Sequence, residues 1–197
     1  MANPSKIAAL ILAAGASTRL GQPKQLVQLA GKTLLERACE TALSIDNQAV
    51  VVVLGAHSEA IKSAIEHLPV KTLVNENWQT GMGSTITCGM SQLPPDADAV
   101  LLLLCDQPFV TYDLLEKLVG KWRNKLDHVI ASAYCGSFGP PAVFGKRYFA
   151  ELAALNGQQG AKKLMERHRE QLLLVDFPEG EMDVDTEEDL KRMGVLF

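Results

Sequence analysis

The first residues that could do chemistry form a loop rich in glycine, hydroxyl and cationic side chains, Ala13-Ala-Gly-Ala-Ser-Thr-Arg-Leu-Gly-Gln-Pro-Lys24. It directly follows an apolar run at residues 7–12. Small residues let a bound group approach the backbone, whose amides, with the Ser-Thr hydroxyls, can donate to phosphate oxygens. Arg19 and Lys24 would add two cations beside the same anion. A plain strand-to-helix turn is the alternative, but amides combined with cations favour phosphate binding.

Two other stretches match known phosphate motifs only in part. Gly31-Lys32-Thr33 supplies the end of a P-loop, but Leu26 stands where the first glycine should be. Gly81-Met-Gly83 begins a dinucleotide fingerprint whose third glycine is replaced by Ile86. Neither stretch therefore predicts a nucleotide site by itself.

Carboxylates follow the apolar runs at two distant places in the chain. Asp106 comes directly after the run at 100–104, where the carboxyl end of a parallel strand would aim it at the ligand crevice. Asp183 and Asp185 alternate with apolar residues, so an extended backbone would place both on one side. Asp106 could instead cap a turn, although Thr111 is better placed for a helix cap. Asp183 and Asp185 could simply be solvated acids on the surface. Opposite a phosphate loop, such acids suit magnesium, which needs one or two carboxylates plus phosphate and water.

A third polar stretch, residues 75–85, combines amides, two glycines and a lone Trp78 before a small-residue helix predicted at 84–90. It suits a loop that binds a base or other heterocycle. A surface loop with the tryptophan folded onto the core fits the composition equally well, so both interpretations stay open at this point.

Bulk composition narrows the class of protein. With 197 residues and 47% hydrophobic content, the chain suits one globular domain, residues 1–197. A formal net charge of -4 argues against general binding to nucleic acid or a membrane surface. Neither a membrane-spanning run nor a signal-peptide pattern is evident, so we expect a cytoplasmic protein. Four scattered cysteines and four histidines show no metal-ligand spacing, which favours buried, reduced thiols.

Apolar runs alternate with segments of helical period, which predicts a three-layer α/β fold with a Rossmann-like, mostly parallel sheet and helices on both faces. The predicted strands are 7–12, 49–54, 71–74, 100–104, 129–133 and 172–175. Helices are predicted after Thr33, whose spacing to Glu36 suits a capping box, and at 58–68, 111–125 and from Thr186. Residues 135–168 break the alternation, which predicts an insertion that packs over the mouth of the sheet.

The loop from Leu12 to Lys24 resembles the signature of nucleotidyltransferases that join a nucleoside triphosphate to a phosphorylated acceptor. Asn75-Glu-x-Trp-x-x-Gly-Met-x-Ser84, Cys105-Asp-Gln-Pro108 and Asp183-Val-Asp-Thr-Glu-Glu-Asp-Leu190 are similar to the molybdenum cofactor cytidylyltransferase branch of the MobA-like superfamily. The resemblance extends over about residues 7–190. The chain departs from the family at 157–160, where Gly-Gln-Gln-Gly replaces a common Gly-Asp-x-Gly turn.

The resemblance implies the nucleotide-diphospho-sugar transferase type of fold and transfer of CMP from CTP to the terminal phosphate of molybdopterin, with pyrophosphate released. It assigns catalysis to Arg19, Lys24 and Asp106. Mg²⁺ would be held by Asp106 and Asp185, with Asp183 in reserve. The nucleotide-binding residues that it implies are Leu12, Ala13, Ala14, Gly15, Arg19, Lys24, Gly81, Ser84 and Asp106. The segment 135–168 would face the acceptor.

Other functions remain open at this stage. The same loop and acids would serve a transferase that uses GTP, or one whose acceptor is a sugar or alditol phosphate. A non-catalytic protein that delivers the finished cofactor is an alternative from another class. The expected partners are CTP, a molybdopterin-type acceptor and a molybdenum hydroxylase that receives the product, with no nucleic acid and no membrane.

Overall fold

A central seven-stranded sheet organises the protein, which a computed structural model describes for residues 5–192, apart from the side chains at 187 and 191. Its strand order is β5-β4-β1-β6-β8-β7-β9. All these strands are parallel to their sheet neighbours except β8, which is antiparallel to both β6 and β7. The strands of this sheet are β1 (Ile7–Ala13), β4 (Ala49–Leu54), β5 (Lys71–Val74), β6 (Ala99–Leu104), β7 (Val129–Tyr134), β8 (Ser137–Gly145) and β9 (Leu172–Asp176). A separate antiparallel pair, β2 (Gln28–Leu29) and β3 (Lys32–Thr33), precedes the first helix.

Helices cover both faces of the sheet, which confirms the predicted three-layer α/β fold. One face packs against α1 (Leu34–Ser44), α2 (Ser58–Ile65) and α4 (Tyr112–Arg123). The other packs against α3 (Met82–Met90), α5 (Phe149–Ala153) and α6 (Ala161–Arg167). A short α7 (Glu187–Arg192) follows the last strand.

Strand β1 occupies the middle of the molecule because every one of its residues is apolar and buried. Ile7, Ala9 and Ile11 face one core, whereas Leu10 and Leu12 face the other, as the two-residue period of a strand requires. Because β1 pairs in parallel with both β4 and β6, the loops after all three strands emerge at one edge of the sheet. The strand order reverses here, at the position where open α/β sheets bind ligands.

The predicted helix caps are present. Thr33 Oγ1 accepts from the Glu36 amide at 3.1 Å, and the Glu36 carboxylate accepts from the Thr33 amide at 2.6 Å, which completes the capping box. Thr111 caps α4 through the Leu114 amide, and Thr186 precedes α7. Each cap satisfies amides that would otherwise lack partners at a helix start, so the sequence could predict these positions locally.

Strand β8 was missing from the strands predicted from sequence. Residues 137–145 lie inside the sheet between β6 and β7 rather than over its mouth. Gly139, Pro140 and Pro141 conceal this strand in the sequence, because proline cannot donate a ladder hydrogen bond and is rare inside sheets. The register with β7 passes from Ala142 directly to Gly139, so both prolines lie in an irregularity of the pairing. That other parts of 135–168 face the acceptor stays a prediction.

A third, small apolar cluster connects the N-terminal loop to the C-terminal acids. It consists of Leu20 and Val27 from the loop region, Leu34 at the start of α1, and Val184 and Leu190 near the C-terminus. All five side chains are buried. Their burial stabilises contact between segments more than 150 positions apart, and so places the cations beside the acids.

Candidate active site

The ammonium group of Lys24 lies between two carboxylates from distant parts of the chain. It contacts Asp106 and, at 2.8 Å, Asp185 Oδ1, while the Arg19 guanidinium donates to Asp185 Oδ2 at 2.6 Å. Only 15% of the Lys24 side chain and 14% of the Asp106 side chain are exposed, against 36% for Asp185. Since both acids contact one nitrogen, their nearest oxygens are at most two hydrogen-bond lengths apart. The predicted convergence of cations and acids is therefore present.

Electrostatics in this cluster follow from burial and charge pairing. Burial alone would lower the pKa of Lys24, but Asp106 and Asp185 outweigh it and raise the pKa above its usual range. Burial would likewise raise the pKa of Asp185, yet hydrogen bonding and charge from Lys24 and Arg19 hold it below its usual range. Lys24 and Asp185 are therefore both charged at neutral pH.

Each member of the cluster is positioned by its own segment. The Lys24 amide donates to Ser17 Oγ at 3.0 Å, which closes the loop from Ser17 onto the lysine. The Val184 amide donates to the Asp106 carbonyl at 3.0 Å, which fixes the C-terminal segment against the end of β6. Asp189 accepts from the amides of Asp185 and Thr186 at 3.2 and 2.8 Å. Hydrogen bonds on both sides thus hold Asp185 in place.

Asp183 lies beside the cluster and is partly buried. Burial raises the pKa of Asp183 to about 6, and the negative charge of Asp106 adds to the rise. Within residues 5–192, the buried Oδ1 atoms of Asp106 and Asp183 accept no hydrogen bond. Such unpartnered carboxylate oxygens are the ligands that a hard divalent cation prefers, so the donor set fits one.

A cleft of about 570 Å³ opens next to these charges. The N-terminal loop, including Leu12, Ala13, Ala14 and Gly15, forms one wall, and Asp106 lies at the end of β6 on another. Trp78, Gly81 and Thr85 line the opposite side, together with Gln158. This volume is in the range typical of small-molecule sites.

Two glycines allow the walls of the cleft to meet closely. A Cβ on Gly55 would lie 2.6 Å from the Ala14 carbonyl oxygen and 2.7 Å from Trp78 Cβ. Gly81 has φ +125, and a Cβ there would lie 2.4 Å from the Gly157 carbonyl oxygen. A side chain at either position would push the loops that line the cleft apart.

The position of Trp78 distinguishes the two interpretations of residues 75–85. The side chain is only partly buried and lines the cleft, so it is not folded onto the core. Ser84 lies elsewhere, in a neighbouring cleft lined also by Asn75 and Asn77. Its hydroxyl accepts from Asn75 Nδ2 at 2.9 Å and is 2.8 Å from the Gly81 carbonyl, so it braces the loop from behind. Thr85, one position along α3, lines the main cleft instead.

Sequence reasoning missed Gln25 and Gln158 as cleft residues. Gln25 follows Lys24 directly, so adjacency to the loop was the available signal. For Gln158 the signal was the turn at 157–160, where it replaces the aspartate common in the family, but its contact with the cleft depends on how residues 155–160 fold back onto α3. The close contact between Gly81 and Gly157, with a 3.0 Å bond from the Gly83 amide to the Gly157 carbonyl, brings it there.

Cys105, which follows β6 next to Asp106, is not suited to act as a nucleophile. Cys105 is buried, and burial raises its pKa far above the usual range, so the thiol stays protonated. Among the described residues, no group of three or more His, Cys, Asp or Glu has the geometry of a metal site. Over the same part of the chain, no helix is both long and apolar enough to cross a membrane.

Comparison with known proteins places this geometry in a family. The model described as MobA-like NTP transferase domain matches residues 9–172. Nicotine blue oxidoreductase from Paenarthrobacter nicotinovorans is 31% identical over 200 residues, which cover 95% of this chain and 96% of that protein. The bifunctional protein GlmU of Legionella pneumophila is 34% identical over 140 residues, covering 70% of this chain but only 30% of its own length.

The solved structures agree with this assignment. Rv0371c from Mycobacterium tuberculosis is 29% identical, with a TM-score of 0.84 over 97% of this chain and 98% of that one. A manganese complex of Rv0371c is similar with a TM-score of 0.80 and 27% identity, over 96% of this chain and 98% of that one. These matches confirm the nucleotide-diphospho-sugar transferase fold. The chain belongs to the MobA-like NTP transferase domain family and is an enzyme of the nucleotidyltransferase type.

Proposed function

We propose that the protein transfers CMP from CTP to the terminal phosphate of a molybdopterin-type acceptor and releases pyrophosphate. The observation that carries the transfer chemistry is the single cluster of Arg19, Lys24, Asp106 and Asp185 beside the glycine-containing loop. The choice of CTP and of a pterin acceptor depends on the resemblance of residues 75–84 and 105–108 to the cytidylyltransferase branch.

The chemistry requires placement and charge rather than a covalent intermediate. An oxygen of the acceptor phosphate attacks the α-phosphorus of CTP, and the bond from that phosphorus to the bridging β-phosphate oxygen breaks. Pyrophosphate leaves with the electron pair of this bond. Such in-line transfers depend on positioning and on stabilisation of developing charge. The protonated, buried thiol of Cys105 agrees with a mechanism that uses no cysteine nucleophile.

Arg19 and Lys24 are the groups that would hold the triphosphate and neutralise charge on the departing pyrophosphate. In this structure both cations are paired with the acids, so they would exchange carboxylate oxygens for phosphate oxygens when the triphosphate and the divalent cation bind. Asp106 and Asp185 would hold a divalent cation, Mg²⁺ in this proposal, with Asp183 as the reserve ligand. When bound, that ion would neutralise charge between the triphosphate and the attacking oxygen.

A panel of the four nucleoside triphosphates, followed by pyrophosphate release with and without molybdopterin, tests the proposal. We expect release with CTP only when the pterin is present. Release with GTP instead would identify a guanylyl transferase, and release with sugar or alditol phosphates would identify the other acceptor class. Tight binding of the finished cofactor without any pyrophosphate release would contradict catalysis and identify a delivery protein.

Site variants connect the activity to the cluster. Asp106→Asn and Lys24→Ala should each lower turnover by about 10²–10³-fold, the usual cost of removing one preorganised charge. Asp46→Asn is the matched control, because Asp46 is 83% exposed and remote from the cleft. Near-normal turnover in a folded Asp106 variant would remove that residue from the mechanism.

The name of one relative is the reason for one additional measurement, of redox activity. Because the Paenarthrobacter protein is named an oxidoreductase, oxidation of NADH and NADPH with a dye as electron acceptor should be measured in parallel. We expect no turnover of either reduced cofactor. Turnover that survives in Asp106→Asn would indicate redox chemistry independent of the proposed site.

A further inference from the structure

A buried glutamine holds the N-terminal loop by its backbone. Gln25 is fully buried, and its Nε2 donates to the carbonyl oxygens of Ala13 and Gly15 at 2.8 and 2.9 Å. Both N–H bonds of the carboxamide are therefore used on one short stretch of backbone. The carbonyl between them, that of Ala14, accepts from the Ala56 amide at 3.2 Å. Three consecutive loop carbonyls thus point into the protein.

The orientation of the loop amides follows from this pattern. In a planar trans peptide the N–H points opposite to the C=O of the same unit. With the carbonyls of residues 13, 14 and 15 turned inward, the amides of Ala14, Gly15 and Ala16 point outward. Within residues 5–192, the Gly15 and Ala16 amides donate to no backbone carbonyl in loops or turns, and a Cβ on Gly15 would meet nothing within 4 Å.

The same side chain also buries a second polar atom. Its Oε1 is buried and accepts no hydrogen bond among the described residues. A buried, unpartnered acceptor lowers stability, so the two hydrogen bonds that Nε2 donates must offset the desolvation cost of Oε1. The two donated bonds are what a glutamine provides here and a methionine does not.

We infer that Gln25 is a positioning residue for the triphosphate. It holds the carbonyls of Ala13 and Gly15 away from the cleft, while the Ala56 amide holds that of Ala14, and the loop amides are thereby presented to phosphate oxygens. Gln25 acts through the loop and does not touch the nucleotide. Because it is bonded directly to Lys24, the same anchor sets the lysine beside those amides. This inference rests on the proposed nucleotide site but not on the identity of the base or of the acceptor.

Gln25→Met tests the inference, because it keeps length and burial while removing both donors. Binding is measured by calorimetry with CTP, with inorganic tripolyphosphate as a probe without a base, and with cytidine as a probe without phosphate. We expect the dissociation constants of CTP and tripolyphosphate to rise tenfold or more and that of cytidine to change less than twofold. Gln28→Met, at an exposed position of the same segment, is the control and should bind all three normally.

The outcomes separate this inference from the proposed function. Unchanged tripolyphosphate binding in Gln25→Met, or an equal loss for cytidine, would overturn a role in presenting amides to phosphate. If the methionine variant does not fold, Gln25→Asn, whose amide is one methylene too short to reach both carbonyls, should show the same selective loss. A wild-type protein that binds triphosphates but never transfers CMP would refute the proposed reaction and leave the positioning role intact. Failure of the wild type to bind any triphosphate would refute both.

Discussion

Removing the Lys24 ammonium should destabilise the protein unless a divalent cation replaces it. In Lys24→Met, the carboxylates of Asp106 and Asp185 would face each other without their shared counter-charge. Loss of one partner from a fully buried ion pair costs about 3–5 kcal/mol, whereas exposed pairs contribute about 0–1 kcal/mol. With side-chain exposures of 14% and 36% for the two acids, we expect an intermediate loss. The free energy of unfolding should therefore fall by about 2 kcal/mol.

The assay is thermal unfolding with and without metal. For a chain of this length, about 2 kcal/mol corresponds to a fall in Tm of about 4–8 °C. Millimolar Mn²⁺ or Mg²⁺, added without nucleotide, should restore much of this loss in Lys24→Met because the ion can occupy the space between the acids. A ligand at about 100 times its Kd adds about 2.7 kcal/mol. The wild type should respond far less, because its ammonium already neutralises the pair.

A matched control distinguishes this cluster from ordinary surface charge. Lys32 pairs with Glu40, and their side chains are 50% and 40% exposed. Lys32→Met should therefore change stability by no more than about 0.5 kcal/mol and show no added response to metal. If Lys24→Met melted within a degree of the wild type, or if metal stabilised both proteins equally, the argument from shared charge would be wrong.

Three further predictions follow from burial and packing. Gly55→Ala should lower the free energy of unfolding by about 1–3 kcal/mol and weaken CTP binding about tenfold, because the added Cβ would strike Trp78 and the N-terminal loop. Urea unfolding and calorimetry measure the two effects. Gly120→Ala, whose Cβ would meet nothing within 4 Å, is the control and should lower neither the stability nor the affinity for CTP. Asp183→Asn should change how stability depends on pH. Because the pKa of Asp183 is raised to about 6, the folded protein binds more protons than the unfolded chain between about pH 4 and pH 6. The stability of the wild type therefore falls as the pH rises through that window. The variant should gain about 1 kcal/mol relative to wild type between pH 4 and pH 7.5, after discounting for partial exposure, and parallel urea-unfolding profiles would contradict this. Cys105→Ser should leave kcat for pyrophosphate release nearly unchanged because the thiol is protonated, whereas a large loss with intact CTP binding would reopen a role for it.

Much of the fold could be predicted because its signals are local. The runs at residues 49–54 and 100–104 are continuous and apolar, as expected for parallel strands covered on both faces. The Thr33 capping box involves residues three positions apart. By contrast, β8 was hidden because its prolines resemble a loop. Only its neighbours in space, β6 and β7, make an extended backbone with an irregular register stable there.

The candidate site divides in the same way. Residue types alone identified Arg19, Lys24 and Asp106 as groups suited to phosphate chemistry. Ser84 was predicted from the family resemblance instead, and the structure places its hydroxyl behind the loop, because one step along α3 changes which side of the helix a residue occupies. Residue type does not reveal which of two neighbouring clefts a side chain on the same helix will line.

By itself, the sequence determined the strands and helices whose periodicity and caps act over a few residues. It also determined which cations and acids are candidates for an anion-binding site, and that site stays a prediction. Only the tertiary structure decided that Lys24 meets Asp106 across 82 positions and Asp185 across 161, that Gln25 orients the loop carbonyls, and that β8 enters the sheet. The physical reason is range. Local preferences are set by neighbours along the chain. The order of strands in the sheet decides which distant side chains become neighbours, and that order is stabilised by the burial of apolar residues on both faces of the sheet.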